Sequence, residues 1–320
     1  MSESNQIDEI RRLMREKNAF VIACHTNPDG DGIGSSLGLG LTLRGLGKDV
    51  NVLLEDYNEK YNVIPGKELI YHGEWADLRP DVFVCLDCGA ADRLGGARQF
   101  LEKAGTAVCV DHHTGGALMA DYSLIDPLAS STCELVYQLI APEFGLSMDA
   151  ASALYAGIVD DTGGFRHGCT GKETLHIAAE LVGMGIPFTD IYNELMERHS
   201  PTEAFVFGEA LRETRLFAGG KLAISTLTAK EMAKYKATGQ DVGGIAEYLR
   251  NIRGVEISAL IYEKIPGNVK VSLRSKSADV SELCRGFGGG GHVNAAGCSF
   301  SGKIEDAAET VRKALEGLVK

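Results

Sequence analysis

Short runs rich in Val, Ile, Leu and Cys alternate with helical patterns along the first half of the chain, and this alternation restricts the fold more than any other feature. The runs cover residues 19–24 (AFVIAC), 49–55 (DVNVLLE), 81–87 (DVFVCLD) and 106–113 (TAVCVDHH). Strands that are apolar at consecutive positions are buried on both faces, as in a parallel sheet with crossover helices. The sequence therefore predicts an α/β fold with a doubly wound, mainly parallel sheet.

The pattern changes after residue 220, where strands of alternating polarity replace the apolar runs. Residues 221–227, 255–264 and 268–275 alternate between apolar and polar positions, and the Pro-Gly-Asn at 266–268 predicts a hairpin turn. The last helical pattern is amphipathic, and its apolar face comprises Ile304, Ala307, Ala308, Val311, Leu315 and Leu318. These features predict a smaller α+β domain at the end of the chain.

Seven further segments have helical patterns. The predicted helices cover residues 7–15, 33–46, 131–141, 149–159, 172–185, 187–197 and 202–211. No strand pattern separates the last three of these helices. We therefore predict an α/β domain over 1–190, a helical connector over 191–214 and the α+β domain over 215–320.

The composition argues against two classes of protein. Lysine and arginine number 32 against 44 aspartates and glutamates, and the net charge of −12 does not suit a protein that coats long nucleic acids. No apolar run approaches the roughly 20 residues that span a bilayer, and the polar N-terminus lacks the apolar core of a signal peptide. We expect a cytoplasmic protein without a membrane partner. Its cysteines, including the isolated pair Cys85 and Cys88, are interpreted as reduced core residues.

Acidic and histidine side chains follow the apolar runs at the points where those runs end. These residues are His25, Asp29, Asp31, Asp87, Asp111, His112, His113, Asp160 and Asp161. In an open α/β sheet the ligand site lies beyond the carboxyl ends of the strands, so these side chains are expected to converge. Asp29 and Asp31 have a second possible role, because either could cap the helix predicted at 33–46.

Several carboxylates at one sheet edge repel one another unless a cation lies between them. Mixed aspartate and histidine ligation suits Mn²⁺ or Mg²⁺, with Zn²⁺ as the softer competitor. The residues available suffice for two ions. Paired ions of this kind activate a water molecule for phosphoryl hydrolysis.

Six ordered motifs resemble those of the DHH phosphoesterase superfamily. Four lie in the predicted α/β domain: HTNPDGDGIGS (25–35), LDCG (86–89), VDHH (110–113) and GIVDDTGGF (157–165). Two more, VSLRS (271–275) and GFGGGGHVNAAG (286–297), resemble its associated C-terminal domain. Domain order and length are most similar to the group of bifunctional oligoribonucleases and phosphatases of 3′-phosphoadenosine 5′-phosphate (PAP).

The resemblance implies a role for each acidic and histidine residue. The ligands that it implies for two Mn²⁺ ions, or Mg²⁺, are His25 and Asp29 on one ion, Asp31, His112 and Asp161 on the other, and Asp87 between them. Asp161 is preferred to Asp160 because it directly precedes Thr162, as the aspartate of the motif does. Asp111 is expected to orient a ligand. His113 is expected to face the substrate phosphate, as a proton donor or an electrostatic stabiliser.

The glycine-rich motif indicates a phosphate site in the α+β domain. Glycines let backbone N–H groups approach a phosphate closely, and the planar fork of an arginine suits a terminal phosphate. The predicted substrate contacts there are Arg274, Ser275, Gly289, Gly290, Gly291 and His292. In the α/β domain Arg166, Ser130 and Ser131 are further candidates. For the two serines, capping of the next helix is an equal alternative.

The resemblance implies a metal-dependent phosphoesterase that hydrolyses short oligoribonucleotides, PAP or both, by two-metal activation of water. Short RNAs or small phosphorylated nucleotides fit the acidic chain, because no basic channel with interleaved aromatic residues is visible. One alternative is a phosphodiesterase for cyclic di-AMP or its linear product pApA. A non-catalytic nucleotide-binding regulator is the other, and the intact Asp and His sets argue against it. A second copy of the chain is a candidate partner.

Overall fold

The computed structural model describes residues 3–113 and 120–319. The chain divides into two compact units between Arg198 and His199. This division falls inside the segment that was predicted to be a connector. Each unit has its own hydrophobic core.

The first unit is built on a parallel sheet. Its strands are β1 (Ala19–Ala23), β2 (Asp49–Leu53), β3 (Val82–Leu86), β4 (Thr106–Asp111) and β5 (Tyr122–Ile125). The strand order is β2-β1-β3-β4-β5, and all these pairings are parallel. This confirms the predicted α/β fold with a doubly wound sheet. The order reverses direction beside β1 and β3, which is where ligand sites of such sheets lie.

Alternate residues of β3 show why the strands had to be apolar on both faces. Val84 packs into the larger core, whereas Phe83 and Cys85 pack into the smaller core on the other face of the sheet. The edge strand β5 was not predicted. Only Leu124 is buried in it, so the apolar run that marks the other strands is absent.

The helices of the first unit lie where the sequence predicts, with shifted ends, except the short helix Phe100–Lys103, which was not predicted. They are α1 (Glu3–Glu16), α2 (Gly30–Gly45), α3 (Phe100–Lys103), α4 (Thr132–Phe144), α5 (Met148–Asp161), α6 (Lys172–Gly183) and α7 (Phe188–Tyr192). A π-helical turn, Asn193–Glu197, follows. Helix α2 begins at Gly30, three residues earlier than predicted, because Asp29 caps it. Helix α5 continues to Asp161, two residues beyond the prediction.

The second unit is a mixed sheet with helices on both faces. Its helices are α8 (Pro201–Glu213), α9 (Ala229–Lys234), α10 (Ile245–Arg250), α11 (Val280–Gly286) and α12 (Ile304–Glu316). Its strands are β6 (Arg215–Phe217), β7 (Leu222–Leu227), β8 (Ile257–Ile265), β9 (Asn268–Ser275), β10 (Gly290–His292) and β11 (Ala295–Ser301). The strand order is β10-β11-β9-β8-β7-β6, and only the β7–β8 pair among these strands is parallel.

Several elements of this unit differ from expectation. The glycine-rich segment forms β10 and the turn into β11, where no strand was predicted. Leu318 does not belong to the apolar face of the last helix, because α12 ends at Glu316 and Leu318 is 39% exposed. Within the part of the chain that the structure describes, no helix combines the length and the apolar character needed to cross a bilayer.

Candidate metal centre

The carboxyl ends of β1, β3 and β4 face the N-terminus of α2 and the C-terminus of α5. The strands deliver histidines and an aspartate into their following loops, and the two helix ends deliver the other carboxylates. The residues that meet there are His25, Asp29, Asp31, Asp87, His112 and Asp161. Their donor atoms, together with that of His113, fall into overlapping groups in which all atoms lie within 4.8 Å of one another: His25, Asp29 and Asp87; Asp31, His112 and Asp161; and Asp87, His112 and His113.

The first group surrounds His25. Its Nε2 lies 3.6 Å from Oδ2 of Asp29 and 3.4 Å from Oδ2 of Asp87. The other ring nitrogen, Nδ1, lies 2.8 Å from the carbonyl oxygen of Thr26. A proton on Nδ1 is donated to that carbonyl, which leaves Nε2 as the nitrogen that can bind a metal. Asp29 caps α2 with Oδ1, which accepts a 3.1 Å hydrogen bond from the N–H of Gly32, and presents Oδ2 to His25.

The second group surrounds His112. Its Nε2 lies 3.9 Å from Oδ2 of Asp31 and 3.5 Å from Oδ2 of Asp161. The buried Asp31 is anchored by the N-terminus of α4, where it accepts hydrogen bonds from the N–H groups of Thr132 (2.6 Å) and Cys133 (2.8 Å). The positive end of the helix dipole stabilises a carboxylate at this place. Sequence reasoning missed this anchor, because no local signal links residues that lie so far apart in the chain.

Asp87 lies between the two groups, and a different oxygen of it faces the histidine of each. Its Oδ2 faces His25, while Oδ1 lies 3.6 Å from Nε2 of His112 and 3.3 Å from the hydroxyl of Thr132. The residue has a φ of 53°, in the left-handed region that few non-glycine residues adopt. Its N–H donates a 3.1 Å hydrogen bond to the carbonyl of Val110, which holds this conformation. Strained backbone that the surroundings hold in place is typical of functional sites.

The electrostatics of these residues favour a cation. Burial lowers the pKa of His25, but the carboxylates around it outweigh this effect and raise the pKa to about 10. Burial raises the pKa of Asp31 well above its usual range, and the charges of Asp87 and Asp161 add to the rise. Burial also raises the pKa of Asp161 to about 6, although His112 opposes it. The charged forms of Asp31 and Asp161 are therefore disfavoured by burial and by the neighbouring carboxylates, and a divalent ion would relieve both effects.

The donor set fits divalent ions. Metal bonds to imidazole nitrogen and carboxylate oxygen are about 2.0–2.2 Å long, so ligands of one ion lie roughly 3–4 Å apart. The nitrogen–oxygen distances of 3.4–3.9 Å in both groups agree with this spacing. Among the described residues, no cysteine belongs to either group, so the thiolate ligands that Zn²⁺ favours are missing.

His113 lies beside the two groups and is held by Asp111. The backbone N–H of His113 donates a 3.0 Å hydrogen bond to Oδ1 of Asp111, and its Nδ1 lies 2.7 Å from the same oxygen. This hydrogen bond raises the pKa of His113, although burial opposes the rise. Nδ1 also lies 3.4 Å from Oδ1 of Asp87. Because Asp111 engages Nδ1, the nitrogen that His113 can offer to another molecule is Nε2.

The two serines predicted as substrate contacts are buried. The hydroxyl of Ser130 donates a 2.6 Å hydrogen bond to Oε2 of Glu134, which Thr174 also contacts at 2.8 Å. The hydroxyl of Ser131 accepts a 3.1 Å hydrogen bond from the N–H of Glu134 and caps α4. The structure therefore gives Ser131 the capping role that the sequence left open.

Arg166 follows a turn with an unusual backbone. Gly163, Gly164 and Phe165 have φ values of 56°, 69° and 65°, directly after the end of α5. The side chain of Arg166 is exposed, and its Nε donates a 2.7 Å hydrogen bond to the carbonyl of Gly163. The turn thus keeps an exposed guanidinium five residues beyond Asp161.

In the second unit, Arg274 of β9 and His292 of β10 are both paired with Ala295 of β11, the strand that lies between them. Residues in register on neighbouring strands point to the same face of a sheet, so Arg274 and His292 share one face. Burial lowers the pKa of the half-buried Arg274. Ser275 points to the other face, and its hydroxyl donates a 2.5 Å hydrogen bond to the carbonyl of Ala278.

The glycines of this hairpin are required by close backbone contacts. A Cβ on Gly289 would lie 2.1 Å from the carbonyl oxygen of Gly297. Gly291 has a φ of 139°, and a Cβ on it would lie 2.5 Å from the carbonyl oxygen of Ala295. Gly290 has open space at the same point. Two of the three predicted glycine contacts are thus needed by the fold itself.

Comparison with known protein families matches both units. Residues 19–158 match the DHH family, N-terminal domain, and residues 219–320 match the DHHA1 domain. Two proteins named bifunctional oligoribonuclease and PAP phosphatase NrnA are similar over the length of the chain. The one from Thermus thermophilus is 32% identical over 95% of this chain and 91% of its own. The one from Bacillus subtilis is 28% identical over 98% of both.

A protein named cyclic-di-AMP phosphodiesterase GdpP, from Geobacillus thermodenitrificans, is 26% identical over 96% of this chain, but the match covers 48% of that protein. Among solved structures, an exopolyphosphatase-related protein from Bacteroides fragilis superimposes with a TM-score of 0.90 at 30% identity, over 98% of this chain and 96% of that one. Exonuclease RecJ bound to manganese shares the fold, with a TM-score of 0.56 at 16% identity over 100% of this chain and 95% of that one.

Proposed function

The chain belongs to the DHH family, and on that premise we propose that it is a metal-dependent phosphoesterase that hydrolyses short oligoribonucleotides and PAP. Relatives that match this chain over nearly their whole length are named for these two activities. The observation that carries the proposal is the position of Asp87, whose two oxygens face two separate groups of metal-type donors. A bridged pair of divalent sites suits the hydrolysis of phosphate esters.

In the proposed centre, His25 and Asp29 would hold one ion, Asp31, His112 and Asp161 would hold the other, and Asp87 would serve as a ligand to both. When bound, the ions supply positive charge to phosphate oxygens and lower the pKa of a water molecule. We propose Mn²⁺ as the ion, with Mg²⁺ as the substitute. Support comes from the oxygen-rich donor set and from the manganese in the RecJ structure.

His113 is proposed to serve the leaving group. Asp111 holds its Nδ1 and raises the pKa of the ring, which favours a proton on Nε2. A protonated imidazole can donate that proton to the leaving oxygen, or stabilise its charge, as the phosphate ester bond breaks. Asp111 thereby fixes both the orientation and the protonation of His113.

The second unit is proposed to hold the end of the substrate. Arg274 and His292 share one sheet face, beside the glycine-rich hairpin of β10 and β11. A guanidinium that is half-buried gains from contact with a phosphate, which it can bind through two parallel hydrogen bonds. The acidic chain favours short substrates, because affinity depends on these local contacts and not on a basic surface.

The proposal is tested by comparing hydrolysis rates of the purified protein with Mn²⁺ on RNAs of two to five nucleotides, PAP, pApA and cyclic di-AMP. Short RNAs and PAP are expected to give the highest kcat/KM. The variant Arg274→Ala is expected to lower these rates while preserving hydrolysis of bis-p-nitrophenyl phosphate, which lacks a nucleotide end. A preference for cyclic di-AMP over short RNA would replace the proposed substrate with that of the GdpP-like relatives.

A further inference from the structure

Asp160, the residue before Asp161 at the end of α5, makes a set of contacts that the proposed reaction does not use. Its Oδ2 accepts hydrogen bonds of 2.9 Å from the backbone N–H of Gly30 and 2.9 Å from the hydroxyl of Tyr61. Its Oδ1 lies 3.1 Å from Nζ of Lys60. The side chain is 12% exposed. All three donors lie outside the two ligand groups. The carboxylate of Asp160 therefore contacts different partners from that of Asp161, which faces His112.

Gly30 is the point at which Asp160 contacts the metal centre. It separates Asp29 from Asp31, which belong to different ligand groups. A Cβ on Gly30 would lie 2.5 Å from Cβ and 2.7 Å from Oδ2 of Asp160. The backbone at the N-terminus of α2 therefore packs directly on this side chain. A shift of Gly30 relative to α5 would change the separation of Asp31 and Asp161. Because both of these carboxylates face His112, such a shift would disrupt the distances between the three ligands of that group.

Lys60 and Tyr61 explain how a further carboxylate is tolerated so close to the centre. They belong to a 3₁₀ turn, Glu59–Val63, which lies far from α5 in the sequence. Burial is the main cause of the raised pKa of Asp161, and the charge of Asp160 adds to it. The ammonium of Lys60 compensates for the added charge. A charged acceptor also binds the N–H of Gly30 more strongly than a neutral one would.

We propose that Asp160 is a positioning residue of the metal centre, which fastens residues 29–31, at the N-terminus of α2, to the end of α5. Lys60 and Tyr61 hold its carboxylate in the orientation that reaches Gly30. The inference rests on the proposed two-ion site and assigns Asp160 a role that is separate from ligation. Asp160 acts through Gly30, and touches neither the ions nor the substrate.

The test is direct titration of the metal-free, full-length protein with Mn²⁺ by calorimetry. Asp160→Ala is expected to weaken Mn²⁺ binding by about 10–100-fold, the usual effect of removing a group that orients ligands. Asp160→Asn keeps an acceptor for Gly30 and is expected to recover most of this loss. Asp149→Ala is the matched control, because Asp149 is exposed in the first turn of the same helix and is expected to leave the affinity unchanged.

Unchanged Mn²⁺ affinity in a folded Asp160→Ala protein would overturn the proposal and leave Asp160 a purely structural role. If that variant does not fold, Tyr61→Phe decides, because it removes a hydroxyl that holds the Asp160 carboxylate, and wild-type Mn²⁺ affinity in Tyr61→Phe would overturn the proposal equally. Loss of binding in Asp160→Ala together with normal binding in Asp161→Ala would make Asp160 itself the ligand. Failure of the proposed function is distinguishable, because it would appear as absent hydrolysis by the wild-type protein while the Mn²⁺ comparison remained valid.

Discussion

At the scale of single residues, the proposed chemistry depends on side chains whose two oxygens or two ring nitrogens contact different partners. Asp29 caps a helix with one oxygen and faces His25 with the other, and Asp87 faces a different histidine with each oxygen. His113 is fixed through one ring nitrogen, so that the other is available. Such division of roles makes each of these residues hard to replace by one of similar size.

Asp87→Asn should therefore be more damaging than its small change in volume suggests. The amide keeps one neutral oxygen, so at most one donor group retains an acceptor, and the charge between the histidines is lost. We expect kcat to fall by about 10³-fold, comparable to the loss of one strong contact to developing charge. Steady-state rates with Mn²⁺ on a short RNA measure this. Near-wild-type activity would contradict a bridging role for Asp87.

Metal binding should release protons and weaken as the pH falls. In the metal-free protein His25, with a pKa of about 10, carries a proton at pH 7.5 that must leave when a metal binds. Asp161 has a pKa of about 6, so below pH 6 it carries a second proton that metal binding must release. We expect release of roughly one proton from His25 per protein at pH 7.5, and a steeper loss of affinity below pH 6. Calorimetry in buffers with different heats of ionisation measures the protons, and equal binding heats in all buffers would contradict the expectation.

At the scale of elements, the centre depends on the close packing of α2 against α5. A Cβ on Gly34 of α2 would lie 2.5 Å from the carbonyl oxygen of Ala153 and 3.1 Å from the N of Gly157, both on α5. Backbone cannot yield as a flexible side chain can, so glycine is required by this contact. The two helices carry Asp31 and Asp161, whose separation their packing helps to determine.

Gly34→Ala should accordingly push the helices apart. Overpacking of this kind costs about 1–3 kcal/mol of unfolding free energy, and the separation of the ligands should weaken Mn²⁺ binding as well. Gly45→Ala, at the exposed end of the same helix with nothing within 4 Å, should instead stabilise the protein by about 0.5–1 kcal/mol. Urea unfolding and Mn²⁺ titration of both variants test this. Equal stability of the two variants would show that α2 and α5 adapt without strain.

At the scale of the whole molecule, the two units divide the proposed work. All proposed metal ligands lie before Arg198, whereas Arg274 and His292 lie after it. Each unit buries its own core, with strands of the first packed between two apolar clusters and those of the second between two others. Units with separate cores can generally fold independently.

The isolated segment 1–198 is therefore expected to fold and to bind Mn²⁺ with an affinity close to that of the full chain. It should still hydrolyse bis-p-nitrophenyl phosphate slowly, but lose activity on short RNA, because the proposed contacts to the substrate end are absent. In the full chain, Arg274→Ala should lower kcat/KM on short RNA by about 10–100-fold, the scale of one charged hydrogen bond. Full activity of the isolated segment on short RNA would remove the second unit from the proposed mechanism.

The elements that were predicted correctly are those with a strong local signal. Strands β1, β3 and β4 are apolar at consecutive positions because both faces of the sheet are covered, and this is visible in the sequence. Short elements such as α9, α10 and β5 were missed, since they are too brief for a periodic pattern. The observed start of α2 and end of α5 differ from the predicted ones, because capping by Asp29 and continuation to Asp161 depend on side-chain contacts.

The sequence by itself determined the fold class and the set of candidate residues, because parallel strands place their carboxyl ends at one edge and the motifs mark those ends. Only the tertiary structure decided which oxygen faces which nitrogen. It turned Asp161 toward His112 and Asp160 toward Gly30, and it turned the hydroxyls of Ser130 and Ser131 into the protein. These orientations are set by contacts with residues that are distant in the chain, and no local sequence pattern predicts such contacts.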